Sequence, residues 1–581
     1  MANSLFRKKK IESILAEGGD DAHGGGLKRV LTVRDLTFFG IAAIIGAGSF
    51  SSLGDAVFKG GPGVVVLFII TGIACAFTAF CYSEFASRIP VAGSAYTYSY
   101  ASFGELFAWI IGWALIMEYS IGNIYVSFSW SDYFTSFLHK VNIHIPDYLC
   151  TSYREAQKAV AENSPNTELT NAWHTAPVLG SLRIIFDLPA LVINMLITYL
   201  VFRGIKESRN FSNAMVVLKL AIVGLVIIVG GSLVFSEGLT FNWSPVNDEG
   251  VRSFMPNGFS GVMAAVSGVF FAYIGFDAVS VLAEESKNPQ RDLPRGMILS
   301  LVICTTVYIL LSLVLTGAVQ YKNFEGVGDP LAFIFEEKNL NLPWMQLVVS
   351  ICAVVAMTSV LLVFQMGQPR IWMSMSRDGL LPPVFQKIHH RFKTPSFATI
   401  VTGLVVGIPI LFTDKSFVLD FTSIATLFAF VLVCGGVLLI PRKEKVPGRF
   451  NMPYVNAQFI YPLIIALAIF LFAKYGNGYF ADAFNLDFSA DADYNAGKLS
   501  FMDLATPKLS IIVFWGICIV LSMLAFVKKY SLIPLMGVTT CLYLLTGMTK
   551  ANWAWFLGWL LLGLVIYFLY GRQKSKLAGA E

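Results

Sequence analysis

Two glycines, Gly46 and Gly48, stand one residue apart in the apolar run GIAAIIGAGSFSSLG at residues 40–54. Each glycine costs a helix interior roughly 1 kcal/mol relative to alanine, so the pair predicts a helix that breaks within its span. Such a break frees backbone N–H and C=O groups, which lipid cannot satisfy. The half-helix that follows presents unpaired N–H groups and the positive end of its dipole, and this chemistry suits an anion such as a carboxylate.

Three ionisable residues, Lys219, Glu118 and Asp277, lie inside other apolar runs. Ionisable groups within a membrane are costly and are functional by default. Lys219 lies inside its helix, roughly 13 Å from the cytoplasmic end at 1.5 Å per residue. Burial lowers the pKa of an amine, which makes proton release feasible. The alternatives are a fixed structural cation at Lys219 and a packing carboxylate at Glu118. For Asp277, which follows Gly275, we favour a helix N-cap over ligand contact.

The composition places these residues in a membrane protein. The chain is 56% hydrophobic and 14% charged, whereas about a quarter of the residues in a soluble protein are charged. An all-α integral membrane protein with about fourteen transmembrane helices is therefore predicted. The apolar segments are 36–54, 63–88, 103–138, 184–203, 210–235, 258–283, 294–320, 344–367, 396–412, 416–440, 457–474, 508–527, 531–548 and 554–571.

Charge orients these segments. Lys and Arg concentrate in the segments that share a side with the N-terminus, which predicts cytoplasmic N- and C-termini in a cell membrane. The long loops 139–183 and 475–507 are then external. The net charge of +5 is modest, and we expect no nucleic-acid partner. Seven of the eight cysteines lie in apolar segments and no CxxC pair occurs, so no disulfide framework, metal site or cofactor is expected.

The two halves of the chain each contain an apolar segment that glycine interrupts. Gly275 interrupts the sixth segment as Gly46 and Gly48 interrupt the first, and the odd number of helix steps between them makes the second half inverted. Paired interrupted helices in corresponding positions indicate a transporter substrate site at the membrane midplane.

Five stretches resemble the cationic amino acid transporter family of the amino acid–polyamine–organocation superfamily. They are LKRVLTVRDLTFFGIAAIIGAGSF (27–50), GWALIMEY (112–119), SNAMVVLKLAIV (212–223), FFAYIGFDAVSVLAEESKNPQRDLPRGM (270–297) and GQPRIWMSMSRDGLLPPVFQKIHHRFKTPSFAT (367–399). The resemblance implies a core of two inverted five-helix repeats with broken helices 1 and 6. The expected organisation is an N-terminal tail (1–35), this transport core (36–440), four further helices (441–571) and a C-terminal tail (572–581). Helices 457–474 and 508–527 look like an insertion.

The resemblance also implies a substrate site for amino acids. The amides of Gly46, Ala47 and Gly48 would hold the α-carboxylate, and Ala47 stands where many relatives have Ser or Thr. The α-amino group would be held by carbonyls around the residues Ile44, Phe271, Ala272 and Ile274.

By the same resemblance, Lys219 takes the place of sodium in related carriers and couples transport to protons. It would bond helix 1 carbonyls and Ser359, and Glu118 would pair with it, relay a proton or meet a cationic side chain. Met357 and Ser359 would line the bottom of the pocket for the substrate side chain. Arg370, Arg377, Asp378, Glu284, Glu285 and Arg291 would either latch the inner gate or form a solvated face.

The function predicted is import of amino acids with protons by alternating access, in a monomer. The alternatives are a sodium-coupled or exchange-type carrier and an amino acid sensor that does not transport. An intramembrane enzyme is disfavoured because all six histidines lie in loops and no HExxH motif occurs. Neutral and cationic amino acids both remain open as substrates, with a slight preference for neutral ones such as alanine.

Overall fold

The computed structural model describes residues 5–9, 31–46, 48–89, 94–161, 167–180, 182–204, 209–247, 250–392, 394–440, 449–475, 478–489, 494 and 500–579. Apart from one short hairpin, these residues build helices. Ala47 lies outside the described residues.

The elements are numbered in chain order. They are α1 (Val33–Ile44), α2 (Leu53–Gly60), α3 (Val64–Arg88), α4 (Ser94–Ser102), α5 (Glu105–Lys140), α6 (Tyr153–Ala161), α7 (Thr167–Thr175), β1 (Val178–Leu179), β2 (Leu182–Arg183), α8 (Leu188–Arg203), α9 (Arg209–Ser236), α10 (Gly258–Ala264), α11 (Val266–Phe271), α12 (Pro289–Ala318), α13 (Pro330–Phe333), α14 (Pro343–Arg377), α15 (Ser396–Ile410), α16 (Lys415–Leu439), α17 (Ala457–Tyr475), α18 (Tyr479–Phe484), α19 (Phe501–Lys528), α20 (Leu532–Leu545), α21 (Lys550–Ile566) and α22 (Arg572–Lys574).

Nine helical stretches among the described residues are long and apolar enough to cross a membrane. The first, Val33–Arg88, covers the first two predicted segments, and three further apolar helices (α8, α15 and α20) are shorter. The sixth predicted segment is divided into α10, α11 and a 3-10 helix, Asp277–Glu285. The chain is therefore a multi-pass membrane protein, while the fourteen crossings and the inverted repeat stay predictions.

Helix α5 is a long, mostly buried helix in the middle of the bundle. It is 36 residues long, or roughly 54 Å at 1.5 Å per residue, and most of its apolar stretch is buried. It packs against α14 and α16. Helix α21 is fastened to it by two tryptophans that bond each other's backbone: Trp113 Nε1 donates to Trp559 O at 2.8 Å, and Trp559 Nε1 donates to Trp113 O at 3.1 Å.

The two ends of α5 define two faces of the molecule. At its first residue, Glu105, it meets Leu5–Lys9 and the C-terminal segment, and we call this end the terminal face. At its far end it meets the folded loop that holds α6, α7 and the β1–β2 hairpin, and we call this end the loop face. There the carboxylate of Glu155 on α6 accepts the backbone N–H of Lys415 at 3.1 Å, so the long loop caps the start of α16.

Helices α17 and α19 correspond to the predicted insertion. They pack on each other and on α20 around a separate apolar cluster that includes Tyr461, Phe514 and Trp515. The main apolar core, by contrast, runs continuously through α1–α5 and α8–α16. The candidate site lies within this main core.

Candidate functional site

The first break lies where the glycines predict it. Helix α1 ends at Ile44, and a π turn, Gly48–Ser52, leads into α2. A Cβ added at Gly48 would lie 2.5 Å from Ala272 Cα, and one at Gly46 would lie 2.6 Å from Val360 Cγ2. Both glycines therefore permit close approach: Gly48 lies against the backbone of the sixth segment, and Gly46 lies against α14.

The second break crosses the first. Helix α11 ends at Phe271, and Gly275 adopts a φ of +113°, which side-chain-bearing residues rarely take. A Cβ at Gly275 would lie 2.9 Å from Ala43 Cβ and 3.0 Å from Ala43 C. Each broken segment thus presents a glycine to the backbone of the other, and the two interlocked breaks approach closely at these positions.

Backbone N–H groups and a serine hydroxyl satisfy part of the backbone that the first break exposes. Gly46 O accepts bonds from Ser49 N at 3.1 Å and Phe50 N at 3.0 Å. Ser52 Oγ lies 2.9 Å from both Gly48 O and Gly268 O, so it bridges the two broken segments. For the backbone N–H groups of Gly46 and Gly48, no acceptor is found within the described part of the chain.

Tyr308 on α12 was not predicted from the sequence, and it joins the two breaks. Its hydroxyl lies 2.9 Å from Ile44 O and 2.7 Å from Ala272 O, two of the carbonyls predicted to hold an α-amino group. A phenol carries one proton and donates to one of them at a time. Each carbonyl oxygen has two lone pairs, so an ammonium group can share these acceptors with Tyr308.

Apolar groups surround the break on its remaining sides. The rings of Tyr125 and Phe271 lie 4.4 Å apart, and Tyr125 OH reaches Ser51 Oγ at 3.4 Å. Met357, one turn before Val360 on α14, is fully buried. Ser359 donates to Ala356 O of its own helix at 2.9 Å.

Lys219 on α9 reaches the first helix before its break. Its side chain is buried, with 2% exposure, and Nζ donates to Ala42 O at 3.2 Å. It also lies within electrostatic range of the Cys304 thiol on α12. An ammonium group therefore contacts α1 two residues before the helix ends.

Glu118 and Asp277 form a second polar group. Glu118 on α5 is 3% exposed, and its carboxylate lies beside the Thr426 hydroxyl on α16 and within electrostatic range of the Asp277 carboxylate. The Asp277 carboxylate lies beside the backbone N–H groups of Gly275 and Ala278, but the 3-10 helix that begins at Asp277 has no side-chain cap hydrogen bond. The groups near Glu118 thus belong to α16 and the sixth segment, whereas the bond found for Lys219 leads to the first.

The residues predicted to hold the α-amino group are buried. Ile44, Phe271, Ala272 and Ile274 are between 1% and 5% exposed. Towards the loop face, Tyr133 OH donates to Phe50 O at 2.5 Å, and beyond it Lys415 pairs with Asp132. These contacts lie between the breaks and the loop face.

Within the described part of the chain, the partners found for Asp378 are not among the charges predicted around it. Its carboxylate accepts from Lys9 Nζ at 2.8 Å and from Tyr96 OH at 2.6 Å. The side chains of Glu284 and Glu285 lie outside the described residues. Within the part of the chain that the structure describes, no group of three or more His, Cys, Asp and Glu side chains could hold a metal ion.

Comparisons with known proteins agree with this architecture. The amino acid permease family model matches residues 31–484, and a model of the C-terminus of amino acid permeases matches residues 530–575. The chain is 36% identical to a branched-chain amino acid permease, BcaP, of Bacillus subtilis, over 99% of this chain and 100% of that protein. It is 40% identical to a methylthioribose transporter of Bacillus subtilis, over 80% of this chain and 91% of that protein.

A plant relative extends the comparison. The chain is 31% identical to the vacuolar cationic amino acid transporter 2 of Arabidopsis thaliana, over 99% of this chain and 94% of that protein. These relatives are transporters and not enzymes. The chain therefore belongs to the amino acid permease family, as a cationic-amino-acid-transporter-like member of the amino acid–polyamine–organocation superfamily.

Proposed function

We propose that this permease imports amino acids together with protons, by alternating access around the two interlocked breaks. The observation that carries the proposal is the bond from Lys219 Nζ to Ala42 O, because it connects a titratable ammonium group to the helix that would hold the substrate. The following steps assign a role to each part of the site.

The α-carboxylate binds at the first break. The N–H groups of Gly46 and Gly48, together with the amide of Ala47 that the sequence supplies, donate to its oxygens. The dipole of the half-helix that follows adds favourable charge. Since this recognition uses backbone groups alone, it applies to every α-amino acid.

The α-amino group binds at the facing carbonyls. Ile44 O and Ala272 O converge on one point, which the Tyr308 hydroxyl marks. Carbonyls near Phe271 and Ile274 complete the shell of acceptors. The ammonium group of a substrate then bonds both broken segments at once, and substrate binding favours the closed arrangement.

Lys219 couples this site to protons. While it is protonated, its ammonium group holds α1 through Ala42 O. When it loses its proton, the charged hydrogen bond is lost and α1 is released. Glu118 provides a carboxylate through which a proton passes towards the interior. No sodium ion is required in this scheme.

The substrate side chain is neutral. Phe271, Val360 and Met357 supply an apolar wall beside the break. One relative is named as a branched-chain amino acid permease, which agrees with such a wall. Ser359 and Asp277 contribute structure, since the hydroxyl of Ser359 bonds its own helix and the carboxylate of Asp277 lies beside backbone N–H groups of the sixth segment.

The protein works as a monomer in the cell membrane. The terminal face is cytoplasmic, in agreement with the concentration of Lys and Arg on that side. Amino acids then enter from the loop face and leave through the terminal face.

Proteoliposomes containing the full-length protein test this proposal. A thermal-shift panel of all amino acids, with methylthioribose included because one relative is named for it, identifies the ligands. Uptake of the best ligand should follow an inward proton gradient without sodium. Binding without counterflow would identify a sensor, and uptake that follows sodium alone would contradict the role of Lys219.

The Lys219→Ala variant isolates the coupling step. We expect it to lose accumulation driven by the proton gradient. Lys140→Ala is the matched control, because Lys140 also donates to a neutral oxygen, Ser350 Oγ at 2.7 Å, but lies at the loop-face end of α5. If Lys219→Ala still accumulates substrate with the proton gradient, the coupling proposal is wrong.

A further inference from the structure

Residues 5–9 of the N-terminal segment lie against the start of α5 on the terminal face. Three backbone bonds hold them there: Leu106 N to Leu5 O at 3.1 Å, Glu105 N to Arg7 O at 2.9 Å and Lys9 N to Tyr100 O at 3.4 Å. The fit is close, because a Cβ at Gly104 would lie 2.7 Å from Phe6 C. At its far end, Lys9 Nζ pairs with Asp378 Oδ1 at 2.8 Å, with both side chains at most 15% exposed.

The C-terminal segment docks on the same corner. Ser575 Oγ donates to Glu105 Oε2 at 2.6 Å, and Tyr567 OH donates to Glu105 Oε1 at 3.0 Å. The backbone N–H of Lys576 donates to Asp378 O at 3.1 Å. A Cβ at Gly379 would lie 2.3 Å from Lys574 O, so the segment passes directly over the end of α14.

Helix α4 connects this corner to the candidate site. Tyr96 and Tyr100 share one of its faces and bond the two carboxylates, Asp378 at 2.6 Å and Glu105 at 3.2 Å. Tyr98 lies on the opposite face, beside Ser280 in the second half of the broken sixth segment. A movement of α4 would therefore act on the carboxylates of the corner and on the second half of the sixth segment.

We propose that the two terminal segments form a clasp over α4 that holds the terminal face shut, with Glu105 and Asp378 as its anchoring carboxylates. The inference rests on the proposed transport function and adds its regulation. Both chain ends must release these carboxylates before substrate passes through the terminal face. Glu105 is fully buried and bonded by three hydroxyl groups, so loss of the tail would expose an anion that is now satisfied by the protein.

Limited trypsin digestion of the full-length protein measures the clasp directly. The bonds after Arg7, Lys8 and Lys9 are protected while the segment is docked. Asp378→Asn removes one charged partner, and we expect cleavage there to become about tenfold faster, as loss of a charged hydrogen bond predicts. Ser575→Asp sets a carboxylate against Glu105 and should have a similar effect. Asp482→Asn is the control, because it breaks a bond of the same 2.8 Å length, to Lys508, in the region between α17 and α19.

Substrate counterflow then tests the connection to transport. Asp378→Asn should increase the rate of substrate exchange through the terminal face several-fold. Asp378→Glu keeps the carboxylate, so its protection from trypsin and its exchange rate should be close to those of wild type. Equal cleavage of wild type, Asp378→Asn and the control would overturn the clasp. Faster cleavage with unchanged exchange would overturn its role as a gate. Because cleavage is measured without substrate, it remains interpretable if the proton-coupled function proves wrong.

Discussion

The ammonium group of Lys219 lies 3.2 Å from the carbonyl oxygen of Ala42, two residues before α1 ends. Carbonyls near the end of a helix carry the negative end of its dipole and favour a cation. The bond therefore stabilises the first half of the broken helix.

Lys219→Arg separates a proton carrier from a fixed cation. Arginine keeps its charge at all relevant pH values, so it can hold Ala42 O but cannot release a proton. We expect ligand thermal shifts close to those of wild type and loss of uphill uptake. Counterflow and gradient-driven uptake in proteoliposomes check this. Full accumulation of substrate by the Lys219→Arg variant would instead indicate that Lys219 has a structural role.

Gly46→Ala should impair binding through contact with Val360. The added Cβ would lie 2.6 Å from Val360 Cγ2, and valine has little rotamer freedom with which to yield. Overpacking of this kind costs about 1–3 kcal/mol. The double variant Gly46→Ala/Val360→Ala should recover at least half of the lost ligand thermal shift. Gly224→Ala, where nothing lies within 4 Å of the new Cβ, is the neutral control.

Tyr308→Phe should weaken substrate binding and leave the fold intact. It removes the hydroxyl that positions Ile44 O and Ala272 O, and a hydrogen bond of this kind contributes about 0.5–1.5 kcal/mol. We expect the KM for uptake to rise about two- to tenfold. Tyr273→Phe is the control, because Tyr273 is a neighbouring tyrosine whose hydroxyl donates to a different carbonyl, Phe68 O, at 2.8 Å. Equal effects of the two variants would argue that Tyr308 acts only through packing.

Asp329 should make stability depend on pH. It lies on the loop face between α12 and α14, where burial raises the pKa of its carboxyl group from 3.8 to about 7. The folded protein then keeps a proton that the unfolded chain loses, so stability falls as pH rises from about 4 to 7 and levels off above 7. Relative to wild type, Asp329→Asn should gain about 1.4 kcal/mol per pH unit over that window. Melting curves of the two proteins from pH 5 to pH 9 measure the difference, and parallel curves would contradict the assignment.

Asp187 extends the same effect to higher pH. It precedes α8, and burial raises the pKa of its carboxyl group to about 8 even though Ser131 and Ala190 N donate to it. Transport assays that change pH on both sides together will therefore include the titration of these loop-face carboxyl groups. A gradient imposed at a fixed loop-face pH isolates the contribution of Lys219.

The features predicted well from the sequence are those set by local chemistry. Gly46, Gly48 and Gly275 break their helices because the cost of glycine is local, and Lys219 was singled out because a lysine in an apolar run is conspicuous at any position. Asp277 lies at the start of the 3-10 helix after Gly275, beside backbone N–H groups, and its role as a cap stays a prediction.

Long-range contacts account for what the sequence did not reveal. Tyr308 lies 264 residues from Ile44 in the chain, and a tyrosine within an apolar helix has no pattern that points to its partner. Asp378 was predicted to lie among the charges at the inner ends of the sixth and eighth segments, and the sequence did not reveal its partner Lys9, which lies 369 residues away. Ser359 turned to its own backbone, as serines in helices often do when the carbonyl one turn earlier is within reach.

The interlocked breaks also bear on how the chain is made. The first span enters the membrane before residues 270–277 have been synthesised, and at that stage Gly48 has no Ala272 to pack against and Ile44 O has no Tyr308. Polar backbone at the break would then face lipid, which is costly. The contacts that satisfy and enclose this break form only when the sixth and seventh segments have been made. The candidate site is therefore among the last parts of the core to be completed.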